Sequence, residues 1–307
     1  MLLLTEDMIT LRPIYARRAK PGPIALTSRD KRILETIYAF DGMMSLKEID
    51  RLFFSNRGGT WPRERMRSLF ANKYVNMPDA ANAHRVPLGE TIYFLDSGGA
   101  EVVAGLYGET ITDFDWRKRP RWSLIAHDLA VNDFRMDVMQ AAVSSSELAL
   151  HQWVPESEFW RNPDKITYRT RSGASRKRQM RPDGFFTVRR PVARNPGSNE
   201  ELAFLLEIDM ATEDNPRFAR EKVRPGVSYL SSSAYQQHFG IDYGRWLVVT
   251  TGERRLDNLK AHTERAGGDG LFLFTTFGQV RSATVLAEPI WQVAGTEETI
   301  SIKTMSV

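Results

Sequence analysis

The chain has 307 residues, no cysteine, and 42 basic against 38 acidic side chains, for a formal net charge of +4. That length suits two domains. The missing thiols exclude disulfides, iron–sulfur clusters, thiolate nucleophiles and Cys-bearing zinc sites. No apolar run reaches the roughly 18–20 residues that span a bilayer, and Met1–Leu4 runs at once into Glu6 and Asp7, unlike a secretory signal. A cytoplasmic protein without a membrane partner is expected.

The basic residues are skewed and clustered. Ten of the 42 are Lys and the other 32 are Arg, whose planar fork grips phosphate at two points. Arg169, Arg171, Arg176, Lys177, Arg178 and Arg181 form an acid-free stretch, and Arg117, Lys118, Arg119 and Arg121 form a second knot. Clustering of this kind favours nucleic acid as the partner.

Residues 1–25, with Arg12, Arg17, Arg18, Lys20 and Pro21-Gly22-Pro23, read as a basic arm. Thr27 caps a first helix with Asp30 at its third position and Ile33, Leu34, Ile37 and Tyr38 as its apolar stripe. Ser45-Leu46-Lys47-Glu48 is a capping box for a second helix. Thr60 starts a third, with Pro62 in its first turn and Met66, Leu69 and Phe70 on its buried side. Val75, a polar loop and Thr91–Leu95 then suggest a hairpin, and Asp96 opens a further short helix. Three helices and a hairpin in this order predict a winged helix over residues 26–107, whose third helix enters the major groove. Arg63, Arg65 and Arg67 lie on that helix and Arg57 precedes it; all four are expected to contact DNA.

Residues 108–120 read as a linker, 121–290 as a second domain and 291–307 as a C-terminal tail. The second domain opens with a long helix from Ser123 to about Val143, with Ile125, Leu129, Met136, Met139 and Val143 at helical spacing. Asp128, Asn132 and Arg135 lie within about 60° of one another on its other side. Strands are expected at Leu148–Val154, Lys165–Arg169, Gly184–Arg189, Glu201–Ile208, Arg245–Thr250 and Leu271–Phe274. Helices are expected from Asn215, broken at Pro225-Gly226, and over Glu253–Ala266. This alternation predicts an α/β layer domain.

Two strand ends carry acids. Arg181-Pro182-Asp183-Gly184 opens one strand, and Glu207-Ile208-Asp209 closes the next, with Glu207 and Asp209 projecting from one side. If the strands pair, Asp183 faces the Glu207–Asp209 end. Converging carboxylates call for a divalent cation, Mg2+ or Mn2+ by their oxygen chemistry. The five histidines, at 84, 127, 151, 238 and 262, are too scattered for a tight metal-binding pair. Phosphate loops of the Gly-x4-Gly-Lys type and Gly-x-Ser-x-Gly elbows are absent from the sequence.

Leu26-Thr27-Ser28-Arg29-Asp30, His127-Asp128-Leu129-Ala130-Val131-Asn132-Asp133 and Trp153-Val154-Pro155-Glu156 occur in one order with Arg181-Pro182-Asp183-Gly184, Leu206-Glu207-Ile208-Asp209 and Val248-Val249-Thr250-Thr251. In that order and spacing the chain resembles the replication-relaxation family of plasmid, phage and integrative-element proteins. The resemblance covers roughly residues 26–275. It implies an α+β / α/β architecture: an N-terminal winged helix followed by a restriction-endonuclease-like, PD-(D/E)XK α/β domain, a plan similar to that of a class of mobilisation relaxases. By the family's pattern, Asp183 and Glu207 are the two metal-binding acids, and Asp209 stands where a lysine is usual. Lys222 either supplies the missing positive charge or is a surface lysine. His127, Asp128 and Asn132 are candidates to line the cleft, and Glu156 or Glu158 is a candidate further acid.

Two functions stay open at this level. One is a metal-dependent DNA nickase or endonuclease with Asp183, Glu207 and Asp209 as metal residues, acting on double-stranded DNA at an origin-like site. The other is an inactive DNA-binding accessory or regulator that keeps the nuclease fold. Replication or transfer proteins and a second copy of the chain, as a homodimer, are the further partners considered.

Overall fold

The computed structural model describes residue 17 and residues 21–54, 60–170, 172–190 and 201–306. Most of the basic arm (Arg12, Arg18 and Lys20 included), Arg57 and Arg171 lie outside the described residues. The chain divides into two units, Met1–Leu129 and Ala130–Val307.

In the first unit, helix α1 (Ser28–Ala39) starts at a reciprocal cap: Asp30 N–H donates to the Thr27 hydroxyl, and Thr27 N–H to the Asp30 carboxylate at 2.6 Å. Strand β1 (Met43–Ser45) leads directly into α2 (Leu46–Phe53), capped in the same way by Ser45 and Glu48. Helix α3 (Thr60–Ala71), strands β2 (Val75–Asn76) and β3 (Ile92–Leu95) and helix α4 (Ser97–Leu106) follow. The strands make an antiparallel sheet of order β1-β3-β2. Ile33, Leu34, Ile37, Ile49, Met66 and Leu69 are fully buried, so each helix contributes the apolar stripe its spacing announced. Strand β1 escapes a reading by periodicity because three residues are too few to show alternation.

The expected linker is anchored partway. Residues 108–113 are exposed, but Phe114 is buried, its ring 4.7 Å from that of Tyr38 and 6.3 Å from that of Tyr107, which ties the stretch to the first unit at that point. The boundary between units falls instead inside helix α5 (Ile125–Ser144).

The second unit continues with β4 (Ala149–Pro155), α6 (Glu156–Arg161), β5 (Asp164–Arg169), β6 (Ser175–Met180), β7 (Gly184–Arg189) and β8 (Glu201–Ile208). Helix α7 (Asn215–Phe218), a π-helical turn (Ala219–Val223), α8 (Arg224–Leu230) and α9 (Ser233–Phe239) come next. Strand β9 (Arg245–Thr250), α10 (Glu253–Glu264), β10 (Phe272–Thr276), β11 (Trp291–Val293) and β12 (Thr299–Ile300) complete it. Among the described residues its main sheet has seven strands in the order β12-β11-β10-β9-β8-β7-β4. Strands β8, β9 and β10 are parallel and the other neighbours antiparallel, so the α7–α9 segment and α10 serve as crossovers.

Side chains alternate across this sheet. Phe204, Leu206 and Ile208 of β8 pack with Val131, Phe134 and Val138 of α5 on one face. Ala203 and Leu205 of the same strand pack with Phe218, Tyr229, Leu256 and Leu259 on the other. Strand β8 is buried throughout, which is why it reads as a continuous apolar run. Each fully buried Phe, Leu or Val contributes about 1.5–3 kcal/mol.

Three expectations change here. The proposed tail at 291–307 belongs to the sheet: Trp291 and Ile302 are fully buried and Met305 nearly so, because an indole and two aliphatic side chains close the α5 face of the core. The basic loop is a separate hairpin, β5 pairing with β6 from Asp164↔Met180 to Arg169↔Ser175. Finally, Pro225-Gly226 does not break the helix. Proline cannot donate to a carbonyl four residues back and its ring crowds that carbonyl. The π turn widens the helix just before it, with Arg224 N–H reaching back to Ala219 O, five residues away. Gly226 then lets the helix lie against the sheet, since a Cβ there would come within 3.0 Å of Trp246 Nε1 and 3.1 Å of Phe272.

Candidate functional site

The alternation that sorts the core also sorts the acids. In β7, Phe185 faces α7–α10, so Asp183, two residues earlier, faces the same way; in β8, Leu205, Glu207 and Asp209 share that face. Gly184 pairs with Leu206, and one register step on, Asp183 lies beside Glu207. The ladder holds there: Asp183 N–H donates to Leu206 O at 2.9 Å, and the Asp183 carboxylate accepts from Ile208 N–H at 2.6 Å. On the other side Pro155 pairs with Gly184, so the same register sets Glu156, the first residue of α6, alongside Asp183. Asp183, Glu207 and Glu156 are all buried, and Glu156 accepts from Trp160 Nε1 at 2.8 Å. Glu158 is instead engaged by Asn162 and Arg161 on the surface of α6.

Lys222 comes down on this row from the π turn. Its Nζ lies 2.7 Å from Glu207 Oε1 and 2.8 Å from Oε2. Burial works against the ammonium, but Glu207 and then Asp183 outweigh it and hold Lys222 well above the ordinary lysine range. Its side chain keeps 29% of its exposure. Lys222 is therefore part of the acid cluster rather than a free surface lysine.

Asp209 is held differently. Arg255, in the first turn of α10, clasps it in a bidentate pair, Nε to Oδ2 at 2.9 Å and Nη2 to Oδ1 at 2.8 Å. The Thr250 hydroxyl, at the end of neighbouring β9, donates to Oδ2 at 2.6 Å, and Arg255 also reaches the Asn215 side chain. The hydrogen bonds that Arg255 donates to Asp209 hold its guanidinium above the usual range. Arg255 was not singled out in the sequence, Thr250 entered only within the Val248-Val249-Thr250-Thr251 motif, and Asn215 only as a helix start. The signal available was an arginine in the first turn of a helix directly after a parallel strand whose neighbour ends in an acid.

The remaining candidates divide by unit. In the first, Asp128 is buried and paired with Arg121, whose Nε lies 3.3 Å from Oδ2, and His127 Nδ1 lies 3.5 Å from Asp128 Oδ1. In the second, Asn132 is buried in α5. On α3, Arg63 and Arg67 are exposed, but Arg65 is not a free reader of DNA. Its Nε donates to Asp30 Oδ1 at 2.7 Å, and Nη2 donates both to Asp30 Oδ2 and, at 3.0 Å, to Ala25 O. That guanidinium ties α3 to the cap of α1.

The hairpin splits its cations between two faces. Ile166 and Tyr168 are buried, and their partners across the ladder are Arg178 and Arg176. Those two arginines lie on the same face of the hairpin as Ile166 and Tyr168; Arg176 is exposed, and Arg178 is half-buried and comes within 4.0 Å of Glu221. Lys165, Arg169 and Lys177 occupy the other face and are exposed. Arg181 stacks on Trp160, its guanidinium carbon 3.8 Å from the ring centre, and donates to Gln179 at 2.6 Å.

Among the described residues, no helix is long and apolar enough to cross a membrane. Neither a curated protein nor a solved structure matches the chain. The family model for replication-relaxation matches residues 36–241, from α1 to just beyond α9, and so takes in the Asp183–Glu207–Lys222 cluster. By that match, which spans about two thirds of its length, the chain belongs to the replication-relaxation family.

Proposed function

We propose that, within the role in replication or mobilisation of mobile elements that its family suggests, this chain nicks or cuts double-stranded DNA at an origin-like site with a divalent cation. The observation that carries this reading is the convergence of Asp183 and Glu207 in neighbouring register positions, with the Lys222 ammonium on Glu207. The donors there are carboxylate oxygens, which suit Mg2+ or Mn2+, and the place already draws a cation in Lys222. Asp183 and Glu207 would hold the ion, with Glu156, at the register position beside Asp183, as a further acid. Bound there, the ion supplies electrophilic charge to a phosphodiester. Asp209 fits a ligand role poorly, because both its oxygens are taken by Arg255 and Thr250; its part is to fix the end of β8. Lys222 takes the role of the lysine absent beside Glu207, offering a positive charge to the phosphate from the helix rather than from the strand.

The order α1-β1-α2-α3-β2-β3 supports reading the first unit as a winged helix, and the hairpin β7–β8 followed by a helical crossover to parallel β9 supports a PD-(D/E)XK-like second unit. Arg63 and Arg67 then meet the major groove, and Lys165, Arg169 and Lys177 track phosphates. One observation favours the accessory reading instead: Lys222 takes both oxygens of Glu207, a pairing that needs no metal. The two readings part in a nicking assay on supercoiled DNA carrying the element's own origin region, with Mg2+ or Mn2+ added. The nickase reading expects relaxation that disappears on chelation and in Asp183→Ala and Glu207→Ala. Unchanged relaxation in both variants removes the site. Duplex binding without relaxation by the unaltered chain establishes the accessory.

A further inference from the structure

On the opposite side of the π turn from the acid cluster, the structure forms a second cationic site. Lys222 faces Glu207, whereas Arg220 and Arg224, two positions to either side, line a cavity of about 670 Å3 between the hairpin β5–β6, the α7–α8 segment and the end of α10. Arg176 enters it from β6, and His262 and Arg265 from α10. The described residues that line it include no acid. Arg220 leans on Glu221 at 3.2 Å, and Arg265 Nε donates to Ala261 O at 2.9 Å, so both are held in place.

Four guanidiniums around one space repel one another; Glu221, outside the lining, pairs with Arg220, and no described residue of the wall itself offsets the rest. An anion does, and a phosphate offers the several acceptor oxygens that such forks are shaped to grip. The volume lies within the range of small-molecule sites and exceeds what a lone phosphate needs. Tyr168, Thr170 and Ser172 add an aromatic ring and two hydroxyls to the wall.

We infer that this cavity is a binding site for the phosphate group of a nucleotide, either a free nucleotide or the phosphorylated end of a DNA strand. It is separate from the acid cluster and does not depend on whether Asp183 and Glu207 hold a metal.

The test is isothermal titration of the full chain with three probes: deoxyadenosine 5′-triphosphate, a single-stranded hexanucleotide with a 5′-phosphate, and the same hexanucleotide without it. Binding of the triphosphate alone identifies a free-nucleotide site. A preference for the 5′-phosphorylated strand over the unphosphorylated one identifies a strand-end site. Either result should weaken by about tenfold for each guanidinium removed in Arg176→Gln and Arg224→Gln, recover in part in Arg224→Lys, and persist in Asp183→Ala. No binding at millimolar concentration, equal affinity for the two strands without triphosphate binding, or equal binding by a natively folded R176Q/R224Q variant overturns the proposal.

Discussion

Glu207 and Asp209 stand two positions apart on one strand, face the same helices and are both buried, yet the fold treats them in opposite ways. Asp209 receives a planar fork and a hydroxyl, donors fixed by the first turn of α10 and the end of β9. Glu207 receives one ammonium on a flexible four-carbon stem, carried by a helix turn that is itself irregular. A guanidinium clasped at two points has little freedom, whereas an ammonium is a point charge that can turn toward a new anion. Acids that look alike in the sequence are thus separated by the kind and rigidity of these donors. One pins the sheet end, and the other holds a more mobile cation.

The sharpest way to break this contrast is to neutralise each acid in turn. Under the proposed nickase reading, Glu207→Gln should lower metal-dependent nicking of supercoiled DNA by about a thousandfold or more while the chain keeps its fold. Asp209→Asn should instead act chiefly on stability. Equal loss of nicking at equal stability in the two variants would erase the distinction. Next in size, Arg255→Ala leaves Asp209 buried beside Thr250 without its counter-charge and should cost about 3 kcal/mol, read as a lower urea midpoint of the second unit. Lys222→Ala should cost less stability, because that side chain reaches solvent, and Lys222→Arg should restore stability more fully than nicking.

The same logic extends to the arginines of α3. Arg65→Ala should destabilise the first unit by about 1–2 kcal/mol, with faster hydrogen exchange over α1, since it unties Asp30. Arg63→Ala with Arg67→Ala should leave that exchange unchanged and reduce the salt slope of duplex binding by about two. The smallest effect expected is a pH dependence. Burial disfavours charge on Asp30, but hydrogen bonds from Arg65 and Thr27 prevail and hold its carboxyl below the ordinary aspartate range. A depressed carboxylate stabilises the fold above its unfolded pKa and loses that contribution as pH falls through the folded value. Exchange over α1 should therefore quicken in acid, below about pH 4, more in the unaltered chain than in Asp30→Asn.

Much of this arrangement was legible beforehand where local chemistry decides. The two capping boxes at Thr27 and Ser45, the apolar stripes of α1 and α3, and the strands carrying Asp183 and Glu207 follow from rules that act within a few residues. Whether β7 pairs with β8 stayed open, because a strand apolar on both faces carries no alternation to set a register; the ladder itself supplies it. What stayed hidden depends on partners far away in sequence. Trp291 and Ile302 look like parts of a tail until the α5 face of the sheet is seen to need them. Phe114 sits in a polar stretch and is buried with its ring against Tyr38 and Tyr107. Pro225 signals a helix break, and a π turn absorbs it.

By itself, then, the sequence determined which residues carry charge, where helices start and which strands are buried, since capping, spacing and alternation are local properties of the chain. Only the tertiary structure decided that Lys222 belongs to Glu207, that Arg255 belongs to Asp209, and that Arg65 serves the fold rather than the surface. Those pairings join residues 15 to 46 positions apart. Their formation rests on how closely two elements pack, and no spacing along one element encodes that.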